Sequence, residues 1–307
     1  MKNFIVGASR PLLALAVLAL CVYSQTPSIG RPRILGIDHV SFYTTQPEGV
    51  QNLYGGTLGL ASAAAVESGG LVRYMVGKQW VGYSAPPDPR ANDRMDHVAF
   101  TTDNVAGLRR YLIAKGINVP AIEGHADHSL SFMVSDPEHH RIEFVERDKT
   151  QTHVVLPPSA VSRHMIHTGF LVRNRELEDH FYRDILGFRL YWHGADKAGT
   201  PDDWMALQVP DGTDWLEYML NQPDQIDLRQ MGVLNHISLG VADMKKAQAI
   251  MESHGWKSHG DEAAEIGKDG KWQLDVFDPD LSRVELMEFK PAQKPCCSDF
   301  TGPHPTE

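Results

Sequence analysis

Four short stretches of the chain share one pattern of apolar and polar positions. In each stretch a histidine is the third residue, a small residue follows two positions later, and most of the other residues are apolar. Because successive side chains of a β-strand point to opposite faces, the histidine and the small residue share one face, which has space above it. The pattern therefore predicts four strands: IDHVSFYTT from Ile37, MDHVAFTTD from Met95, MIHTGFLVR from Met165 and LNHISLGVAD from Leu234.

A helical pattern follows each of these strands. After the fourth strand, Asp243 can cap a helix that ends at Gly255. The first helix has the weakest pattern, because glycines in PEGVQNLYGGTLGL lower its helix propensity. For the other three helices, the predicted apolar stripes are Val105, Leu108 and Leu112, then Leu177, Phe181 and Ile185, and then Met244, Ala247 and Met251.

Short β segments follow each helix, and two groups of them repeat one another closely. SLSFMVSDPEHHRIEFVE and WQLDVFDPDLSRVELMEF both have an Asp-Pro turn that leads into RIEFVE or RVELME. Repetition at this scale indicates a modular fold. We expect an α+β fold of four βαβββ modules in two pairs, residues 35–147 and 163–290, with curled mixed sheets around a cavity and helices packed outside.

The ends of the chain and the connection between the pairs differ in composition from the modules. Lys2 and Arg10 precede the apolar run PLLALAVLALCVY, which is typical of a secretory signal and too short for a membrane span of about 20 residues. We therefore expect a signal peptide at residues 1–24 and export to the periplasm or the extracellular space. Residues 25–34 and 148–162 are expected to be linkers, and the polar, proline-containing residues 291–307 a disordered tail.

The formal net charge of -10 is not accompanied by any basic block. Nucleic acids and anionic membranes attract clusters of Lys and Arg, so the charge pattern argues against both as the main partner. We expect a small-molecule substrate instead, and no membrane contact once the signal peptide is removed.

In the second pair of modules, two histidines and two glutamates occupy equivalent points of four strands: His167, Glu217, His236 and Glu285. Two imidazoles and two carboxylates on one inner face suit an octahedral divalent ion with two positions left for water or substrate. The alternative is that the four residues face solvent separately, or that Arg283 pairs with Glu285.

The first pair of modules holds His39, His97 and Glu143 at the corresponding places. Aligning KQWVGYSA with TDWLEYML puts Gly82 at the position of Glu217. Two histidines and one carboxylate are the facial arrangement of non-haem iron sites. The three residues form either a second metal site or a degenerate one that is retained for its fold.

With these residues, the chain resembles the vicinal oxygen chelate superfamily, which includes glyoxalase I, extradiol dioxygenases and bleomycin-resistance proteins. IHTGFLV, WLEYML, NHISLGVAD and DPDLSRVELME look like the four ligand strands of glyoxalase I. The resemblance implies two glyoxalase-like domains, at residues 35–147 and 163–290. It also implies a divalent cofactor (Zn, Ni, Co, Mn or Fe) on the second-half quartet. Modules of this superfamily can be exchanged between partners, which is compatible with a homodimer.

Three functions remain open after the resemblance. The leading one is a metal-dependent, glyoxalase-like isomerase or lyase for a small substrate with vicinal oxygens, in which Glu217 or Glu285 moves a proton. The second is an extradiol-type iron dioxygenase, whose pattern is incomplete because Met133 and Asp275 stand where that family has a tyrosine, and His125 has no counterpart in the second half. The third is a binding protein without turnover.

Overall fold

The computed structural model describes residues 1, 30–64, 70–148, 150, 155–197, 199–258 and 263–307. The predicted signal peptide, apart from Met1, lies outside the described residues. None of the helices in the described part of the chain is long and apolar enough to cross a membrane.

The first half contains two βαβββ modules. The first module consists of β1 (Ile34–Tyr43), α1 (Pro47–Gln51), a π-helical segment (Asn52–Thr57), β2 (Ser62–Ala64), β3 (Val72–Val76) and β4 (Gln79–Ser84). The second consists of β5 (Met95–Thr102), α2 (Val105–Ala114), β6 (Glu123–Gly124), β7 (Leu130–Ser135) and β8 (Arg141–Glu146).

The second half repeats this order. Its first module consists of β9 (His164–Leu171), α3 (Arg175–Asp179), a π-helical segment (His180–Ile185), β10 (Arg189–Gly194), β11 (Trp204–Gln208) and β12 (Trp215–Met219). A helix that the sequence pattern did not predict, α4 (Leu228–Leu234), precedes the last module. That module consists of β13 (His236–Val241), α5 (Met244–Ser253), β14 (Glu265–Ile266), β15 (Trp272–Phe277) and β16 (Arg283–Glu288).

Each half forms one curled, mixed sheet of eight strands, which confirms the predicted α+β fold. The strand order is β2-β3-β4-β1-β5-β8-β7-β6 in the first sheet and β10-β11-β12-β9-β13-β16-β15-β14 in the second. In both sheets the two strands that begin the modules pair antiparallel at the centre, and each is flanked by a parallel strand. The predicted ligands therefore lie on three of the four central strands of the first sheet and on all four of the second.

The alternation of side chains along the central strands separates a core face from an inner face. On β1, Val40 and Phe42 are buried in the hydrophobic core, whereas His39 points to the opposite face, which we call the inner face. Most core residues of the two sheets belong to one hydrophobic cluster that spans both halves. Contacts between the halves extend it, since the hydroxyl of Tyr111 donates a hydrogen bond of 2.7 Å to the carbonyl of Ile185.

The third predicted helix differs from expectation in its buried face. Leu177, which the stripe placed inside, is 50% exposed, whereas Glu178 is 0% exposed. The segment that follows α3 is π-helical, and the buried face runs from Glu178 through Phe181 and Tyr182. The stripe is therefore centred one position further along the chain than the sequence pattern indicated.

The tail, for which we expected disorder, packs against the second half. The backbone N–H of Thr301 donates to the carbonyl of Tyr191 at 3.0 Å, and the Gln208 amide donates to the carbonyl of Pro303 at 2.7 Å. The ring of Phe300 packs 4.8 Å from that of Tyr191. The expectation rested on polar composition, but the partners that hold the tail belong to distant strands. Next to these contacts, Cys296 and Cys297 form a disulfide.

Candidate metal centres

The first half brings its three predicted ligands together on the inner face; we call this group the first centre. His39 lies on β1, His97 on β5 and Glu143 on β8, which are neighbouring strands. Nε2 of His39 is 3.0 Å from Nε2 of His97 and 3.1 Å from Oε2 of Glu143. Nε2 of His97 is 3.5 Å from the same oxygen. Ligands about 2.1 Å from an ion and at right angles are ~3 Å apart, so these atoms fit one face of an octahedral site.

Carboxylates orient both imidazoles of the first centre. Nδ1 of His39 is 2.6 Å from Asp38, and Nδ1 of His97 is 2.8 Å from Asp96. Asp38 is held in turn by Arg147, whose Nε donates to it at 2.7 Å. Such partners fix the tautomer and the orientation of a ligand histidine. Because the aspartates hold both rings through Nδ1, Nε2 of each ring is the atom directed at Glu143.

The side chains of the first centre hold charge despite their burial. Burial opposes the ionisation of Glu143, but hydrogen bonds with His39 and His97 outweigh it and hold the pKa of Glu143 well below its usual range. Burial also acts to lower the pKa of His97, yet its bonds to Asp96 and Glu143 leave that pKa raised. The anionic carboxylate that results favours a cation at this point.

The fourth position of the first centre is closed. Gly82 pairs with Ser41 on the strand of the first ligand, as Glu217 pairs with Gly169 in the second half. A Cβ atom at Gly82 would lie 2.5 Å from Cζ3 of Trp80. The indole of Trp80 stacks on the imidazole of the β1 ligand with 3.7 Å between ring centroids. A tryptophan therefore fills the space that a fourth donor needs.

The second half brings one donor atom each of His167, Glu217 and His236 within 4.8 Å of one another, and Glu285 lies beside His167; we call these four residues the second centre. Nε2 of His167 is 3.1 Å from Nε2 of His236 and 3.2 Å from Oε2 of Glu285. Oε2 of Glu217 is 3.5 Å from Nε2 of His236 and 3.9 Å from Nε2 of His167. The donors of each centre come from one half of the chain, so neither group is shared between halves.

An arginine enters the second centre. Nη2 of Arg283 is 2.8 Å from Nε2 of His236, while its Nη1 is 3.4 Å from Asp275 and 4.0 Å from Glu285. Nδ1 of His236 lies 2.9 Å from the carbonyl of Leu234, which places the imidazole proton on Nδ1. The guanidinium therefore donates to the lone pair that His236 would offer to a metal.

A buried lysine adds a second positive charge nearby. Lys271 is 0% exposed, and its Nζ lies 4.0 Å from Asp269 and 4.3 Å from the ring centroid of Trp215. Burial lowers its pKa to about 8, although Asp269 opposes the shift. Burial also lowers the pKa of His167 well below its ordinary value, and burial with Arg283 lowers that of His236. The second centre thus consists of neutral imidazoles, carboxylates and built-in cations.

A cavity of about 320 Å³ lies against the second centre. Glu217, Glu285 and Arg283 form part of its wall. Binding sites for small molecules start at roughly this size and are usually lined by aromatic and apolar groups with a few polar ones. The aromatic part of the wall consists of Tyr191, Trp192, Trp204, Trp215 and Phe300.

Both groups offer the donor set of a divalent-metal site, but they fit an ion to different degrees. The first centre fits in the spacing of its donors and in the carboxylates behind its imidazoles. In the second, Oε2 of Glu285 is buried and accepts no hydrogen bond from the described residues, which suits a cation. Arg283, however, competes for His236. The assignment of individual ligands stays a prediction.

Sequence reasoning proposed the donors and noted Arg283, but it missed the other residues around them. Asp38 and Asp96 directly precede the histidines of the first centre, whereas Ile166 and Asn235 precede those of the second. The Asp-His pairs were therefore a visible signal for the better oriented centre. Nothing in the spacing marks Lys271, because its burial depends on the tail and on β12.

Comparison with known protein families gives a match in the second half of the chain. Residues 164–286 match the model of the Glyoxalase/Bleomycin resistance protein/Dioxygenase superfamily. No curated protein sequence matches the chain significantly.

Solved structures resemble nearly the whole described fold. The 2,3-dioxygenase LapB from Pseudomonas sp. KL28 has a TM-score of 0.62 and 16% identity, over 90% of this chain and 96% of that one. The Mn(II)-bound glyoxalase from Novosphingobium aromaticivorans has a TM-score of 0.65 and 16% identity, over 84% and 83%. Homoprotocatechuate 2,3-dioxygenase from Brevibacterium fuscum, in complex with 3,4-dihydroxyphenylacetate, has a TM-score of 0.61 and 17% identity, over 90% and 84%. At these identities the likeness shows the fold.

Proposed function

We propose that this chain, which is a two-domain member of the glyoxalase, bleomycin-resistance and dioxygenase superfamily, is a divalent-metal-dependent isomerase or lyase. Its substrate would be a small molecule with oxygens on adjacent carbons, bound in the cavity of the second half. The observation that carries the proposal is the position of Glu217, which faces both ligand histidines of the second centre and the cavity.

The residues of the second centre would hold a divalent ion among zinc, nickel, cobalt, manganese and iron. When bound, such an ion supplies Lewis-acid stabilisation of negative charge on the substrate oxygens, which is worth several kcal/mol. His167 and His236 would hold the ion through Nε2, for which Arg283 would have to give up its hydrogen bond to His236; its Nη1 already lies 3.4 Å from Asp275 and 4.0 Å from Glu285.

Proton transfer is assigned to the two carboxylates. Oε2 of Glu217 takes a proton from the carbon beside the substrate carbonyl and returns it to the neighbouring atom. General acid–base catalysis of this kind contributes about 10²- to 10⁴-fold. Burial raises the pKa of Glu285 well above its usual range although Arg283 opposes the shift, so Glu285 can serve as the proton-bearing partner.

Metal-loaded protein and a panel of 2-oxoaldehydes, their thiol adducts and hydroxyacyl compounds test the proposal. The matched variants are Glu217→Gln, which removes the base, and Glu252→Gln, which removes an exposed carboxylate from α5. We expect turnover without oxygen uptake in the natural protein and in Glu252→Gln, and at least a hundredfold lower kcat in Glu217→Gln. Equal kcat in all three proteins would contradict the role of Glu217, and binding without turnover would favour a binding protein.

A second candidate, an extradiol-type dioxygenase, is favoured by one observation in the first half. Its three donors lie 3.0 to 3.5 Å apart and Gly82 adds none, which leaves one octahedral face for substrate and oxygen. His125, which that family pattern requires upstream, bonds to Ser131 of the same half at 2.7 Å. Met133, opposite Glu143 in the strand pairing, supplies no tyrosine hydroxyl.

An oxygen electrode distinguishes the two candidates. The dioxygenase predicts oxygen uptake with ferrous iron and a catechol that is lost in His39→Ala and kept in Glu217→Gln. The isomerase or lyase predicts turnover without oxygen uptake that is lost in Glu217→Gln and kept in His39→Ala.

Export and self-association are proposed on the sequence alone. N-terminal sequencing of protein from a bacterial host should find a new terminus near Gln25, whereas intact Met1 in the cytosol would contradict export. Light scattering would test the homodimer that module exchange in this superfamily suggests.

A further inference from the structure

A third group of potential ligands lies between the two halves, away from both centres. Asp136, His140 and Glu178 each bring one nitrogen or oxygen atom within 4.8 Å of the others. Asp136 and His140 belong to the turn between β7 and β8, whereas Glu178 belongs to α3 of the second half. We infer that these three residues form a structural divalent-metal site that links the halves, independent of the catalytic centres.

The carboxylate of Glu178 provides the strongest evidence for a missing cation. The residue is 0% exposed although its helix lies at the surface. Its Oε1 accepts a hydrogen bond from the backbone N–H of Glu138 at 2.9 Å. Its Oε2 is buried and accepts none from the described residues. Buried carboxylate oxygens are costly unless they are paired or bind a metal, so this atom calls for a positive partner.

The other two residues are held in place by the turn. Oδ1 of Asp136 accepts the backbone N–H groups of Glu138 at 3.1 Å and His140 at 2.8 Å, which fixes the side chain. Oδ2 of Asp136 is 2.8 Å from Nδ1 of His140 and accepts the hydroxyl of Tyr182 at 3.0 Å. A nitrogen and an oxygen at this separation can bind the same ion as adjacent ligands.

The internal repeat shows that packing alone does not require a carboxylate here. Glu178 stands four positions before Tyr182 of the second π-helical segment, and Val50 stands four positions before Tyr54 of the first. Val50 is 1% exposed and packs in the core. In the Asp-Pro turn of the second half, Ser282 takes the place of His140. Both additional donors therefore occur at the same one of the two equivalent contacts between the halves, where the turn with His140 meets the helix with Glu178.

The donor set indicates the kind of ion. One imidazole nitrogen and two carboxylate oxygens suit Zn²⁺, Co²⁺ or Mn²⁺, whereas Ca²⁺ and Mg²⁺ favour oxygen ligands throughout. Three protein ligands with a tetrahedral ion leave one position for water. The alternative occupant is a proton shared by Asp136 and Glu178, which would also relieve the repulsion between the two carboxylates.

Counting bound zinc separates these two occupants. The background is His39→Ala with His236→Ala, which removes a ligand from each catalytic centre. In this background, the protein is stripped of metal with a chelator and dialysed against Zn²⁺. Bound zinc is then measured by elemental analysis. Glu178→Val introduces the residue that the repeat accommodates at this position, and Glu178→Gln keeps the shape of the side chain. Glu176→Gln is the control, because Glu176 is exposed on the same helix.

We expect one zinc ion per chain in the background protein and in the Glu176→Gln control, and its loss in both Glu178 variants. Zinc should raise the melting temperature of the first two proteins and leave the Glu178 variants unchanged, because the ion joins elements of both halves. Equal zinc content with and without Glu178, or no bound zinc in the background protein, would overturn the inference in favour of the shared proton. Anomalous diffraction at the zinc edge should place the ion between Asp136 and Glu178, and a peak elsewhere would also overturn it.

Discussion

The guanidinium of Arg283 lies 2.8 Å from Nε2 of His236, the atom by which this histidine would bind a metal. In the first half the equivalent residue, Arg141, forms its ion pair with Asp96 outside the donor set. The two halves thus place the same residue type at the start of corresponding strands and use it differently. The first centre can therefore accept a cation, whereas the second already contains the positive charge of Arg283.

Replacing Arg283 should strengthen metal binding in the second half. A unit charge near a divalent ion opposes binding even at the effective dielectric constant of a protein, so we expect Arg283→Gln to lower the dissociation constant ~10-fold or more. Calorimetric titration of Zn²⁺ in a His39→Ala background measures the dissociation constant of the second centre. Arg141→Gln is the control and should leave this constant unchanged. Weaker binding in Arg283→Gln would show that the arginine supports the centre.

Removing the carboxylate behind His39 should weaken the first centre. Asp38 fixes the ring and its tautomer, and loss of such a partner typically costs about 10- to 100-fold in metal affinity. We expect Asp38→Asn to show this loss in a His236→Ala background, by competition with a chromogenic chelator. Asp103→Asn changes an exposed carboxylate of the same half and should have no effect. An unchanged affinity in Asp38→Asn would show that packing alone orients the ring.

The contribution of Asp278 to the stability of the fold should decline between pH 4 and pH 7. Burial raises its pKa from 3.8 to about 6, although hydrogen bonds from Ser282 and Tyr83 oppose the shift. The neutral form is therefore favoured in the fold, and its stabilisation is complete below pH 3.8 and lost as the pH rises through about 6. Two pKa units correspond to about 3 kcal/mol.

Urea unfolding with a chelator present tests this dependence. The natural protein should lose about 3 kcal/mol more than Asp278→Asn does over that range, since the amide imitates the neutral acid. Parallel curves for the two proteins would contradict the assignment to this side chain.

Shortening Phe300 should open the cavity of the second half. Its ring lines the cavity and packs on Tyr191. We expect Phe300→Ala to lower the free energy of unfolding by about 2 kcal/mol, less than a fully buried phenylalanine, and to raise KM more than it changes kcat. Lys294→Ala, an exposed change in the same tail, should leave both unchanged. An unaltered KM in Phe300→Ala would mean that the substrate does not reach this wall.

The fold and the grouping of the candidate donors were predictable because their signals are local and repeated. The period of two along each strand places His39 and His167 on an inner face, and four copies of the motif show how the strands correspond. The environment of the donors was not predictable in the same way. Arg283 is visible on the strand of Glu285, but whether it pairs there or reaches His236 depends on Asp275 of another strand.

The helix with Glu178 shows a second limit of pattern reading. An apolar stripe at helical spacing favours Leu177 for the core, and a glutamate beside it is expected in solvent. In the structure Leu177 is exposed and Glu178 is buried, because the interface between the halves offers polar partners to Glu178. Likewise the tail is ordered by Tyr191 and Gln208, more than ninety positions away in sequence.

The indole of Trp80 limits how the first centre can change over generations of mutation. A glutamate at position 82 would imitate Glu217, but its Cβ would meet the indole at 2.5 Å. The second half carries both Trp215 and Glu217 at the equivalent positions, and there the indole is tilted by 31° from the imidazole of His167 instead of stacked on it. The indole of the first half must therefore turn out of its stack with His39 before a glutamate fits beside it. One substitution and the rotation of one ring thus separate a half with three ligands from a half with four.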